Sequence, residues 1–273
     1  MEYLNLLGEK NLTDRVYDID GVKHYLAPAK EPTGAGLLLI PFVYGMSPHM
    51  KWMADSYAAS GITTLMWNPY PDLPWGTPLT VGTRPARPKD EQSLVDLSRC
   101  IDRMEQDLGL TSIGTIGYCM GGRSLLLFGG SETRIKAHVA VYPSIRGQLQ
   151  KDEDLDPFAA AARIQGPVQL ICAGNDPVTP RPIFDTLIAV LHNRRGARDE
   201  TSVLFYPQGG HGFMHIPSEH TDAATRSALP QIQNFLDIHL KGVAGGSPLA
   251  LPPVRGDYEV AKPISSEAPI LSR

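Results

Sequence analysis

The sequence predicts an α/β protein, a three-layer sandwich in which helices cover both faces of a mostly parallel sheet. Three observations carry this. Short apolar runs at residues 36–42 (GLLLIPF), 62–67 (ITTLMW), 137–142 (AHVAVY) and 168–173 (VQLICA) are edged by Gly, Pro, Asn or Asp, as strands buried on both faces are. Segments of helical periodicity lie between these runs, so successive strands need crossovers and pair in parallel. The 273 residues are 42% hydrophobic and 20% charged, which supplies a sizeable core and excludes a disordered or collagen-like chain.

Each element has its own reason. Residues 15–18 and 22–27 flank Asp20-Gly21, a dipeptide suited to a tight hairpin, so the sheet should open with antiparallel strands. After the strand at 36–42, Ser47 can cap a helix with Pro48 at its first position, running to about Ala59. The segment 67–76 (WNPYPDLPWG) crowds Trp67, Tyr70 and Trp75 among prolines; it either lines a pocket for an aromatic group or packs over the sheet edge. Further helices are expected at 90–108, 120–128, 182–191 and 222–240, and weaker strands at 112–118 and 202–206. Pro230 falls inside the last helix and should kink or split it, because proline removes an amide donor and crowds the preceding turn. From Lys241 onward the composition turns to Gly, Pro and Ser, so residues 1–240 read as one α/β domain and 241–273 as an extended tail. Such a tail could wrap a second copy in a homo-oligomer, strap the protein's own surface or be disordered.

Charge and cysteine usage narrow the partners. With 25 Lys+Arg against 29 Asp+Glu the net charge is -4, so no basic stripe marks a nucleic-acid binder and a small-molecule substrate is expected. The first twenty residues carry acids early and lack the apolar stretch of a signal peptide, and no run approaches the length of a membrane span, so a cytoplasmic location is expected. The Asn11-Leu12-Thr13 sequon then occurs by chance. Cys100, Cys119 and Cys172 are too few and too scattered for a disulfide framework or a zinc site.

The most informative string is Gly117-Tyr118-Cys119-Met120-Gly121-Gly122, which follows an apolar strand and opens a helix. This is the nucleophile-elbow pattern with cysteine in the place of serine. A sharp strand-to-helix turn strains its central residue and requires small neighbours two positions away, which Gly117 and Gly121 are. It also puts the sulfur at a helix N-terminus, where thiolate is favoured and backbone N–H groups converge on an oxyanion. The plain alternative is a buried structural thiol, which is the better reading of Cys172 within LICAG and of Cys100 on an amphipathic helix.

A sheet-borne nucleophile needs a base and a carboxylate to orient it, in the chain order nucleophile, acid, histidine. Asp176 follows the strand VQLICA in GNDPV, and His211 follows SVLFY on the glycine-rich loop QGGHGF. Both lie at the carboxyl edge of the sheet, where open α/β sheets bind ligands. Singly, Asp176 could cap a turn and His211 could be a solvated loop residue; jointly, three strand-end loops converge on a triad. His211 and His215 have a spacing that would suit a metal on a helix, but the glycines argue for a loop and a third ligand is not evident, so no metal is expected. The oxyanion donors should be the N–H of Met120 and an N–H from the loop after GLLLIPF, with Val43 the natural candidate. Tyr44 beside it either adds a hydroxyl or packs as an aromatic wall.

Taken together, these residues resemble the dienelactone hydrolase family, cysteine-nucleophile enzymes of the α/β-hydrolase fold, over roughly residues 36–240. The resemblance implies hydrolysis of a lactone or enol ester through an acyl-cysteine, without metal or organic cofactor. It makes Cys119 the nucleophile, Asp176 the orienting acid, His211 the base, and Val43 and Met120 the oxyanion donors. Two departures stand out. The family's glutamate just before the oxyanion-loop residue is replaced by Phe42, so that His211 alone must activate Cys119 or the substrate range has moved. The family's arginine shortly after the histidine is absent from Phe213-Met214-His215, which leaves Arg84, Arg87 and Arg123 as candidates for a substrate carboxylate. Two other readings stand beside hydrolysis: acyl transfer to an acceptor other than water, and a catalytically idle hydrolase fold that binds a ligand or partner.

Overall fold

The computed structural model describes residues 15–80, 82–146, 154–194, 200–214 and 219–243. The Asn11 sequon, His215 and most of the expected tail, 244–273, lie outside the described residues.

Among the described residues, eight strands form one sheet: β1 (Val16–Ile19), β2 (Val22–Ala27), β3 (Ala35–Ile40), β4 (Thr63–Met66), β5 (Ser112–Tyr118), β6 (Ala137–Val141), β7 (Val168–Asn175) and β8 (Thr201–Gly210). Their spatial order is β1-β2-β4-β3-β5-β6-β7-β8. β1 and β2 form the expected hairpin, with Ile19 opposite Val22 and the turn residues Asp20 and Gly21 both at positive φ, 52° and 88°. That is the backbone a two-residue turn requires to match strand twist, and the Asp18 carboxylate accepts the Gly21 N–H at 2.8 Å. β2 pairs antiparallel with β4, and every later pairing is parallel. All residues of β3, β4 and β6 are buried, so both faces of these strands are covered; this is why they read as unbroken apolar runs and not as alternating ones.

The helices are α1 (Pro48–Ala59), α2 (Asp90–Gln106), α3 (Met120–Gly129), α4 (Pro157–Ala161), α5 (Arg181–Asn193) and α6 (Glu219–Leu236). Ser47 caps α1 as expected, accepting the Met50 N–H at 3.3 Å with Pro48 in the first turn. The short α4 is missed by periodicity because five residues complete little more than one turn, although its cap, Asp156 before Pro157, is in the sequence. Pro230 neither splits nor ends α6. Pro230 and Arg226 are both exposed, so the amide donor that proline lacks is missing on the solvent-facing side of the helix, where it costs least. The irregularity comes later, as a π-helical turn at Asp237–Lys241, where the buried Asp237 carboxylate accepts from Gln233 and Lys241, both at 2.6 Å. Among the described residues no helix is long and apolar enough to cross a membrane.

Two fully enclosed histidines tie stability to pH. Burial pushes His24 down to about 4; its Nδ1 accepts the Asn68 N–H at 3.2 Å, which only the neutral ring does. His138, paired with Thr115 at 3.0 Å, is pushed by burial to about 3. The unfolded chain therefore takes up these protons first, and stability is lost as pH falls from about 6.5 towards 4. Each histidine should contribute a slope of up to about 1.4 kcal/mol per pH unit, and urea titrations at stepped pH should show stability declining across that window. A flat profile from neutrality to pH 4.5 would mean that these rings are already accommodated as cations.

Candidate active site

Cys119 sits between β5 and α3 with φ 54° and ψ -112°, a conformation that L-residues avoid. Three backbone hydrogen bonds hold it there: its N–H donates to Val141 at 3.0 Å, and its carbonyl accepts from Arg123 at 3.1 Å and Ser144 at 2.9 Å. The flanking glycines are required by space. A Cβ on Gly117 would press on the Gly121 carbonyl group, and one on Gly121 would press on the carbonyls of Ile40 and Pro41. α3 thus packs against the ends of β3 and β5 more closely than any side chain at these positions allows.

Asp176 follows β7 directly. One carboxylate oxygen accepts the N–H groups of Val178 and Thr179 at 2.8 and 2.9 Å, and the other accepts Nδ1 of His211 at 2.8 Å. Its side chain is fully buried. Thr179 stitches this loop to the one after β6, donating to the Pro143 carbonyl at 2.8 Å and accepting the Ile145 N–H at 2.9 Å. His211 follows β8, which runs four residues beyond its expected end because a register shift lets Gly210 pair with Asn175. The far ring nitrogen, Nε2, lies 2.9 Å from the Cys119 sulfur. The structure therefore brings the three sequence-predicted residues into one hydrogen-bonded line.

The electrostatics follow from this line. Burial alone would raise the Cys119 thiol, but the His211 ring, the charge of Arg87 and the Met120 N–H outweigh it and hold the thiol below its ordinary range. Burial likewise opposes charge on His211, yet the Cys119 sulfur and the Asp176 carboxylate push it up to about 10. The two shifts are opposite sides of one coupling, in which the sulfur and the ring each favour the charged form of the other. The other cysteines behave oppositely: burial pushes Cys172 up to about 12 and Cys100 further still, as inert core thiols.

The remaining predicted residues divide. Val43 is half-buried in the turn after β3, and Tyr44 lies near enough to Cys119 and Arg84 to feel both; burial raises its hydroxyl and Arg84 opposes the rise. Arg123 is a correction. It is 4% exposed and makes a bidentate pair with Asp90, with one arm also donating to the Leu155 carbonyl at 2.9 Å, so it anchors α3 to α2 and is not available to a substrate. Two residues gain importance only in three dimensions. Tyr142, at positive φ (32°) where β6 ends, sets its ring edge-on to His211 at 5.6 Å and to Phe213 at 5.3 Å, forming a wall behind the imidazole. Tyr70 reaches from the proline-rich segment to the Val43 carbonyl, 2.8 Å away. Its segment is conspicuous in the sequence, but its target is not.

Residues 22–240 match the model of the dienelactone hydrolase family. The chain belongs to this family. The family is one of ester and lactone hydrolases, and the curated relatives fit that class. The carboxymethylenebutenolidase homolog of Mus musculus is 24% identical over 229 residues, spanning 80% of this chain and 86% of its own. Among solved structures, an esterase from Pyrococcus furiosus superposes with a TM-score of 0.59 at 14% identity, covering 82% of this hydrolase and 93% of its own chain. Est1E from Butyrivibrio proteoclasticus gives 0.55 at 18% identity, covering 80% and 98%. At such identities the structural likeness speaks for the α/β-hydrolase fold alone. Within that fold Phe42, the residue before Val43, is a buried aromatic ring.

Proposed function

We propose that this hydrolase cleaves a carboxylic ester or lactone through an acyl-cysteine intermediate, with Cys119 as nucleophile, His211 as acid and base, and Asp176 as its orienting carboxylate. The observation that carries the reading is the single ring of His211 bridging the Cys119 sulfur at 2.9 Å and the Asp176 carboxylate at 2.8 Å. The thiolate adds to the substrate carbonyl carbon, and the carbonyl electron pair moves to oxygen, where the N–H groups of Met120 and Val43 receive it. Collapse of the adduct breaks the bond to the alkoxy or enol oxygen, which takes the proton of the His211 imidazolium. Neutral His211 then accepts a proton from an attacking water, and Cys119 departs as thiolate when the thioester is hydrolysed. The His211 ring and the charge of Arg87 both favour the thiolate, so Cys119 should be more nucleophilic than an ordinary thiol.

Arg87, whose charge stabilises the thiolate, and Arg84, next to Tyr44, fit a substrate that carries its own anionic group. One experiment addresses both claims. Mixing the protein with an activated aryl ester and quenching in acid should give an acyl mass increment on Cys119, absent from Cys119→Ala. At neutral pH Cys119 should alkylate faster than a free thiol, and Arg87→Gln should lower the ratio of iodoacetate to iodoacetamide rates. No adduct, together with an ordinary alkylation rate, would favour an idle binding protein; an unchanged ratio removes Arg87 from substrate recognition. Product analysis with added alcohol separates hydrolysis from acyl transfer.

A further inference from the structure

The turn that presents Val43 is held from two sides. Gly45, at φ 60°, donates its N–H to the Phe42 carbonyl at 2.8 Å and closes the turn. In a trans peptide the carbonyl and the next N–H point in opposite directions, so committing the Phe42 carbonyl to the turn directs the Val43 N–H away from it. The following peptide is fixed by Tyr70, whose hydroxyl donates to the Val43 carbonyl at 2.8 Å. The Tyr70 ring seats against Gly45, where a Cβ would stand 3.3 Å from it. Tyr70 is itself anchored: its N–H donates to the Asn68 side-chain oxygen at 3.0 Å, and the Asn68 amide donates to the Lys23 carbonyl at 3.0 Å. The Asn68 N–H reaches the ring of His24 at 3.2 Å. A buried hydrogen-bonded chain thus runs from β2 to the peptide beside the expected oxyanion donor.

We infer that Tyr70 is a positioning residue for the oxyanion turn: its hydroxyl, acting on the Val43 carbonyl, fixes the angle at which the Val43 N–H meets the developing oxyanion. This rests on the acyl-cysteine reading of the same site. Tyr70→Phe keeps the ring against Gly45 and removes only the donor. Loss of a whole oxyanion donor costs about 10²–10³ in kcat, so a loosened one should cost about ten- to a hundredfold. KM should stay within about twofold, because the hydroxyl acts on the transition state. Two readouts separate this from a general structural role. Alkylation of Cys119 by iodoacetamide builds no oxyanion and should be unchanged, whereas a trifluoromethyl ketone, which captures the thiolate as an oxyanion adduct, should bind more weakly by the same factor as the loss in kcat/KM. Turnover within about twofold of wild type overturns the inference. So does a parallel fall in turnover, alkylation and thermal stability, or a Tyr70→Phe protein that is recovered only as aggregate. Failure of the underlying reading is recognised separately, since wild type would then form no acyl-Cys119.

Discussion

Cys119→Ala is expected to lower kcat for a responsive ester or lactone by at least about 10⁴-fold, and His211→Gln by a comparable factor. The reason is that the two side chains should act as one unit, joined at 2.9 Å with each favouring charge on the other. Removing His211 takes away a group that favours the thiolate and the proton donor to the leaving oxygen, and removing Cys119 takes the sulfur itself, so the double variant should be no worse than the more damaging single one. The same coupling sets the pH profile. On the acid side activity should persist below the ordinary thiol range, because His211 and Arg87 outweigh burial at Cys119, and should fall once the sulfur is protonated. On the alkaline side it should fall as His211 loses its proton near about 10, since the leaving oxygen then has no acid. Steady-state rates of wild type and the three variants, with the wild-type pH profile, test this. A Cys119→Ala enzyme that keeps a tenth of its turnover, or single effects that multiply in the double variant, would place the chemistry elsewhere.

Asp90→Ala is expected to destabilise the fold by about 3–5 kcal/mol, the cost of leaving a buried cation without its partner. Asp90 is 5% exposed and takes both arms of Arg123, and one of its oxygens also accepts the N–H groups of Asp154 and Leu155 at 2.9 and 3.0 Å. Asp90→Leu combined with Arg123→Met should recover part of the loss, because apolar groups of similar volume replace a buried pair at little cost. Recovery should stay incomplete, since the Asp154 and Leu155 amides still lack their acceptor. Urea denaturation measures both values. An Asp90→Ala protein within about 1 kcal/mol of wild type would mean that the pair is not enclosed as described, and would return Arg123 to the list of substrate ligands.

Much of the site was legible in the sequence because its local geometry is written in residue types. Gly117 and Gly121 around Cys119 announce a turn that admits no side chain, and the structure shows which carbonyls enforce this. Asp176 and His211 are marked by following strands directly, so the order of elements alone places them on one sheet edge. Where the reading stopped, the deciding partner lay far away in the chain. Arg123 looked available beside the elbow, but Asp90, 33 residues earlier, claims it. Tyr70 lay in a segment that could line a pocket or merely pack, and its contact with Val43 spans 27 residues. Pro230 reads as a kink or a split, and the helix continues through it without splitting, with Pro230 on the exposed face.

The sequence by itself determined the α/β class, the order of strands and helices apart from the short α4, and the ordered residues Cys119, Asp176 and His211, since periodicity, caps and glycine spacing are properties of neighbouring residues. Only the tertiary structure decided which charges are committed and which peptides are held: the burial of Arg123 on Asp90, the coupling of Cys119 to His211, and the Tyr70 tie to Val43. Each of these depends on distance across the sheet and on exclusion of water. Both are set by packing among elements remote in sequence, which no local pattern encodes.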